Sequence, residues 1–162
     1  DVIAYQSGTK KLTSNPSIPQ DLPPILEWTY PTISSQALLY RIASGDSNRI
    51  HVDTSASEML GSDKKASLLH GLFTLAIAFR AVQTVVNSAE ESIRKLEGKF
   101  TQPAFVGDAL TVRVWRDETS PPSIQRFLFV VVNEETGVTL LDCGCAELDL
   151  RDHHAEMSRS KL

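Results

Sequence analysis

The sequence predicts an α+β domain, with one long apolar helix and an antiparallel meander curled around it. Three observations carry this. Leu72, Phe73, Ala76, Phe79 and Val86 recur at helical spacing between His70 and Asn87, and Leu75, Ile77, Val82 and Val85 widen the stripe almost all round. After Glu90 the apolar period shortens to that of strands. The chain has 162 residues, 41% hydrophobic and 22% charged, which is the size and composition of one globular domain with one core.

Taken in order, residues 1–31 read as an irregular arm or linker. They hold five of the eight prolines: Pro16, Pro19, Pro23, Pro24 and Pro31. Residues 32–152 read as the folded domain and 153–162 as a polar tail. Ser34 and Ser35 offer N-caps for a helix from Gln36 to Ala43, which Gly45 stops. Residues 45–53 are polar and turn-rich, and Ser55 to Leu60 reads as a short helix. Past the main helix, four strands are expected: Ile93 to Phe100, Leu110 to Trp115, Ile124 to Val132 and Val138 to Leu150. Gly107-Asp108, Pro121-Pro122 and Thr136-Gly137 supply the turns.

Composition narrows the function. Acidic residues outnumber basic ones by 20 to 16, giving a formal charge of −4, so no basic field exists for a nucleic acid backbone. The longest apolar stretch, Leu68 to Val86, is interrupted by His70, Arg80 and Gln83 and is a poor membrane span. Cys143 and Cys145, one residue apart on a strand, should share a face as reduced core or near-core thiols. No ligand spacing predicts a metal, and the adjacent His153 and His154 cannot close a site alone. The chain starts at Asp1 and reads as processed or excised, and its first residues lack the basic and apolar regions of a secretory signal. It ends in Ser160-Lys161-Leu162, a receptor-read peroxisomal address on an exposed polar tail.

Two groups of residues carry chemistry. Asp46, Asn48 and His51 fall within six residues on one loop. A carboxylate and an imidazole this close can share a water and exchange its proton, with the Asn48 amide fixing orientation. The same three residues also suit a capping Asp, a turn Asn and a surface His. Leu69-His70-Gly71-Leu72 opens the main helix. The N–H groups of a helix's first turn lack internal partners and can hold an oxyanion, and Gly71 would let a carbonyl approach closely. An ordinary helix start with a cap-side His fits equally.

The string Tyr40-Arg41-Ile42-Ala43-Ser44-Gly45-Asp46-Ser47-Asn48-Arg49-Ile50-His51-Val52-Asp53, followed by Leu69-His70-Gly71, Phe100 with Pro103, and Gly107-Asp108, resembles the MaoC-like, (R)-specific enoyl-CoA hydratases. The likeness is greatest to the C-terminal hot-dog half of the peroxisomal enzymes and covers roughly residues 32–150. It departs at Arg49, where the family commonly has Pro, and at Ala66-Ser67, with a longer connection from Gly61 to Leu68.

The resemblance implies a hot-dog fold and reversible hydration of trans-2-enoyl-CoA to (3R)-3-hydroxyacyl-CoA in a peroxisome. Asp46 and His51 would be the catalytic pair, Asn48 would shape their site, Gly71 would give its N–H to the thioester oxygen, and Phe100 would lie beside the acyl-CoA. No separate cofactor is implied, since coenzyme A belongs to the substrate. Expected partners are the acyl-CoA, the peroxisomal import receptor, and a second hot dog, either in a homodimer or as another half joined through the arm. A hot-dog acyl-CoA thioesterase and a non-catalytic acyl-CoA-binding half stand as alternatives.

Overall fold

The computed structural model describes residues 18–19, 21–55, 58, 65–86 and 92–149. In chain order the elements are strand β1 (Leu26–Pro31), helix α1 (Gln36–Ser44), a 3-10 turn (Arg49–His51), helix α2 (Gly71–Val85), and strands β2 (Ser92–Phe100), β3 (Ala109–Arg116), β4 (Ile124–Asn133) and β5 (Thr139–Asp149). The five strands form one antiparallel sheet in the order β1-β3-β4-β5-β2. Helix α2 lies across it and touches every strand. This is the hot-dog fold.

The core sits between helix and sheet. Phe73, Thr74, Ile77, Ala78, Ala81 and Val82 form the inward stripe of α2. They meet Leu110, Val112 and Val114 of β3, Phe127, Phe129 and Val131 of β4, and Leu140, Ala146 and Leu148 of β5. Alternation along the strands puts these residues on one face. Each Val, Leu, Ile or Phe among them contributes roughly 1.5–3 kcal/mol on leaving water, so this layer fixes where the N-terminus of α2 points.

Four expectations from sequence need correction. Residues 26–31 are not irregular arm: β1 pairs with β3 from Leu26↔Val114 to Pro31↔Ala109. Leu26, Trp28 and Tyr30 turn inward in strict alternation, and Pro31 is tolerated because β1 is an edge. Helix α2 is not wrapped all round, because Leu72, Ala76, Arg80 and Gln83 form an exposed stripe within this chain. The loop after α1 contains the 3-10 turn. Cys143 does not share a face with Cys145; it is exposed at φ 51, beside a register shift in the β2–β5 ladder, while Cys145 is buried. Gly144 between them lies against the Phe129 ring, where any side chain would overlap it.

Of the expected short helix, Ser55 and Glu58 are helical and the rest lies outside the described residues, as do His153, His154 and Ser160 to Leu162. Among the described residues no helix is long and apolar enough to cross a membrane.

Candidate active site

The loop carrying the predicted pair is built by its own side chains. Helix α1 ends at Gly45, whose φ of 73 is left-handed and whose N–H donates to the Arg41 carbonyl at 2.9 Å. The Asp46 Oδ1 then accepts the Asn48 N–H at 2.9 Å, and the Asn48 Oδ1 accepts the Ile50 N–H at 3.3 Å, capping the 3-10 turn. Arg41 Nη1 donates to the Asn48 carbonyl at 3.3 Å. These bonds turn His51 inward until it is 7% exposed.

The His51 Nδ1 lies 2.9 Å from the Leu68 carbonyl oxygen. A carbonyl only accepts, so Nδ1 carries a proton, and in the neutral ring Nε2 presents the lone pair.

A second segment arrives from the other side. Leu69 N–H donates to the Ala104 carbonyl at 2.8 Å and Val106 N–H to the Ser67 carbonyl at 2.9 Å, with Leu68 bridged to Phe105. The buried Asp108 holds that partner strand by accepting the Phe105 N–H at 2.9 Å. This pairing delivers His70 to the N-cap of α2, where its side chain makes no capping bond.

The result joins three residues. Asp46 Oδ2 lies 3.9 Å from His51 Nε2 and 3.8 Å from His70 Nε2. The two imidazoles stack with centroids 3.6 Å apart, and Tyr40 leans on His70 at 4.6 Å. The Asn48 N–H above all, then His51, His70 and Arg41, hold the Asp46 carboxyl below its usual range against the opposing effect of burial. Burial first, then His51, pushes His70 below the ordinary imidazole range, with Asp46 opposing. Asp46 is thus a carboxylate and His70 a neutral ring at pH 7.

Asp46 does serve as a turn residue, yet only through Oδ1; Oδ2 stays aimed at both rings. Two imidazole nitrogens and a carboxylate oxygen within 4.8 Å of one another match a divalent ion by donor type. His51 has the outer acceptor that ligating imidazoles keep, but His70 has none among the described residues. The spacing suits a shared water better.

Beside this cluster the Phe100 ring rests on Gly71, so close that a Cβ there would lie 3.2 Å from Phe100 Cε1. A cavity of about 260 Å³ opens next to them, lined by Leu68, Gly71, Thr74, Phe100, Pro103 and Leu140 among others. The structure therefore places Asp46 and His51 together, with Asn48 in the loop that holds them. It sets Gly71 and Phe100 at the adjoining pocket wall. Sequence reasoning left His70 out of the site: its only signal was the Leu69-His70-Gly71 string, read for the glycine.

A carboxylate and two imidazoles beside the helix N-terminus of a hot dog make a candidate acid–base site. The MaoC like domain model matches residues 17–139, and the chain belongs to that family. It is 39% identical over 90 residues to a Mycobacterium tuberculosis protein named 3-hydroxyacyl-thioester dehydratase Y, covering 54% of this chain and 30% of that protein. It is 33% identical over 129 residues to the Drosophila melanogaster peroxisomal multifunctional enzyme type 2, covering 79% of this chain and 20% of that protein. Among solved structures, an R-hydratase from Pseudomonas aeruginosa superposes with a TM-score of 0.66 at 26% identity over 79% of this chain and 80% of its own. The chain thus spans a third or less of the length of those two curated relatives.

Proposed function

We propose that this domain catalyses the reversible addition of water to a trans-2-enoyl-CoA, giving a (3R)-3-hydroxyacyl-CoA. The observation that carries the reading is the Asp46 Oδ2 within 4 Å of the Nε2 atoms of His51 and His70, with His70 directly before the Gly71 that opens the helix beside a cavity. In the hydration direction the water oxygen bonds to C3 as Asp46 and His51 take its proton. The C2–C3 π pair shifts to form a C1–C2 double bond and the carbonyl π pair moves onto the thioester oxygen, where the Gly71 N–H and the positive end of α2 hold the charge. That charge collapses as C2 takes a proton from the same pair, so atoms and charge balance and the site is restored.

Support for the (R) product comes from the likeness to the Pseudomonas R-hydratase. Support for a peroxisomal setting comes from the names of the Drosophila relative and of a Saccharomyces cerevisiae peroxisomal hydratase-dehydrogenase-epimerase, 30% identical over 139 residues, together with Ser160-Lys161-Leu162. Leu38, Leu39, Ile42 and Leu72, all at least half exposed around the site, are the surface a second hot dog would cover.

The test is a panel of trans-2-enoyl-CoAs of rising chain length. Loss of enoyl-thioester absorbance should accompany formation of the (3R) alcohol, without release of CoA thiol. Thiol release without hydration would make it a thioesterase, and tight binding without turnover a non-catalytic half.

A further inference from the structure

We propose that His70 is a third catalytic residue, an imidazole that donates its Nε2–H to the reacting water while Asp46 Oδ2 and His51 Nε2 accept hydrogen bonds from the water's two O–H groups. The inference rests on the hydratase reading above, but its geometric part stands apart from turnover.

His70 is 3% exposed, and neither of its ring nitrogens has a hydrogen-bond partner among the described residues. A buried imidazole with both nitrogens unmatched is costly unless a ligand or water completes it. The groups facing it are Asp46 from the loop, His51 from the 3-10 turn, and Arg41 and Tyr40 from α1. Of these, Asp46 stands in front of Nε2 at 3.8 Å, and the same oxygen is 3.9 Å from His51 Nε2. Both spans are too long for direct hydrogen bonds. One water bonded to all three atoms at ordinary length fits both.

Its hydrogen-bond directions then follow by elimination. In the neutral ring the Nδ1 proton on His51 makes Nε2 an acceptor, and the Asp46 carboxylate is an acceptor. These two accept the water's two O–H hydrogen bonds. The third contact must be a donor, which His70 supplies when its proton is on Nε2. A buried unmatched acceptor at Nδ1 is better tolerated than an unmatched N–H would be. The water is left with one free lone pair, fixed in direction and available for C3. The close stack on His51 also disfavours charge on His70 while His51 holds the proton it has taken.

Two measurements on the full chain decide the matter. In long-range proton–nitrogen NMR of the 15N-histidine-labelled protein, His70 should be the Nε2–H tautomer and His51 the Nδ1–H tautomer. In steady-state hydration, His70→Phe, which keeps a ring in the stack but no donor, should lower kcat about 10²-fold. His70→Gln, which can present an N–H near the same point, should stay within about tenfold of wild type, with KM steady in both. An Nδ1–H tautomer at His70, or equal rates for folded His70→Phe and wild type, overturns the proposal. If His70→Phe does not fold, the tautomer and the His70→Gln rate still decide. A wild type without turnover would sink the hydratase reading, and the tautomer would then judge the water-holding geometry alone.

Discussion

Adding one methyl group at Gly71 should separate activity from stability. Gly71 is the first residue of α2 and its φ is not in the left-handed region, so alanine fits the backbone. Gly→Ala at a compatible site raises stability by about 0.4–1 kcal/mol through the unfolded state. Opposing this, the new Cβ would lie 3.2 Å from Phe100 Cε1 and Cζ, tighter than the ordinary contact of about 3.5–4.0 Å. Phe100 is 47% exposed at the end of β2, so its ring can give a few tenths of an ångström. The net stability change should stay within about 1 kcal/mol of zero. Activity should behave otherwise. The methyl stands where the thioester oxygen must reach the first N–H of the helix, and loss of one oxyanion donor lowers kcat about 10²–10³-fold, or about 2.7–4 kcal/mol. Thermal unfolding and hydration at saturating enoyl-CoA measure the two. A Gly71→Ala protein with wild-type kcat would refute the oxyanion role and leave Gly71 as a packing residue under Phe100.

Asp46→Asn keeps an oxygen for the Asn48 N–H and should fold normally, yet lose about 10²–10⁴-fold in kcat, as should His51→Gln. The double variant should be little worse than either single one, and additive losses would show that they do not act on one water. Asp108→Ala leaves the buried Phe105 N–H unmatched and should lower stability by about 1–3 kcal/mol in denaturant unfolding. His70 has a folded pKa below its unfolded value, so it adds stability that is full above the unfolded value near pH 6.5 and is lost as pH falls through the folded one. His70→Phe should therefore flatten the fall in stability from pH 7 toward pH 5, and an unchanged slope would contradict its burial as a neutral ring. Removal of Ser160 to Leu162 should leave turnover intact and abolish peroxisomal import of the tagged chain; continued import without a partner would refute the address.

What the sequence made legible follows the range of the interactions. Strands β3 to β5 and helix α2 announce themselves by apolar residues that the core buries. Strand β1 alternates in Leu26-Glu27-Trp28-Thr29-Tyr30, but it is six residues long and stands among prolines that read as irregular backbone. The outward turn of Cys143 depends on a register shift against β2, which no local pattern announces.

The site divides in the same way. Asp46, Asn48 and His51 were readable because the bonds that assemble their loop run two residues at a time, from Asn48 to Asp46 and from Ile50 to Asn48. His70 was not, because its place is tertiary: residues 67–69 are held by 104–106, and those in turn by Asp108. The carboxylate half of the site is thus locally encoded, and the half containing His70 and the Gly71 N–H is borrowed from the sheet side. Loosening the Asp108 anchor should accordingly shift His70 and Gly71 relative to Asp46 while the Asp46–Asn48–Ile50 bonds persist. In the Asp108→Ala protein this would lower kcat without disturbing the Asp46 loop in amide exchange. Equal loss of protection at Asn48 and Ile50 would show that the two halves form one cooperative unit.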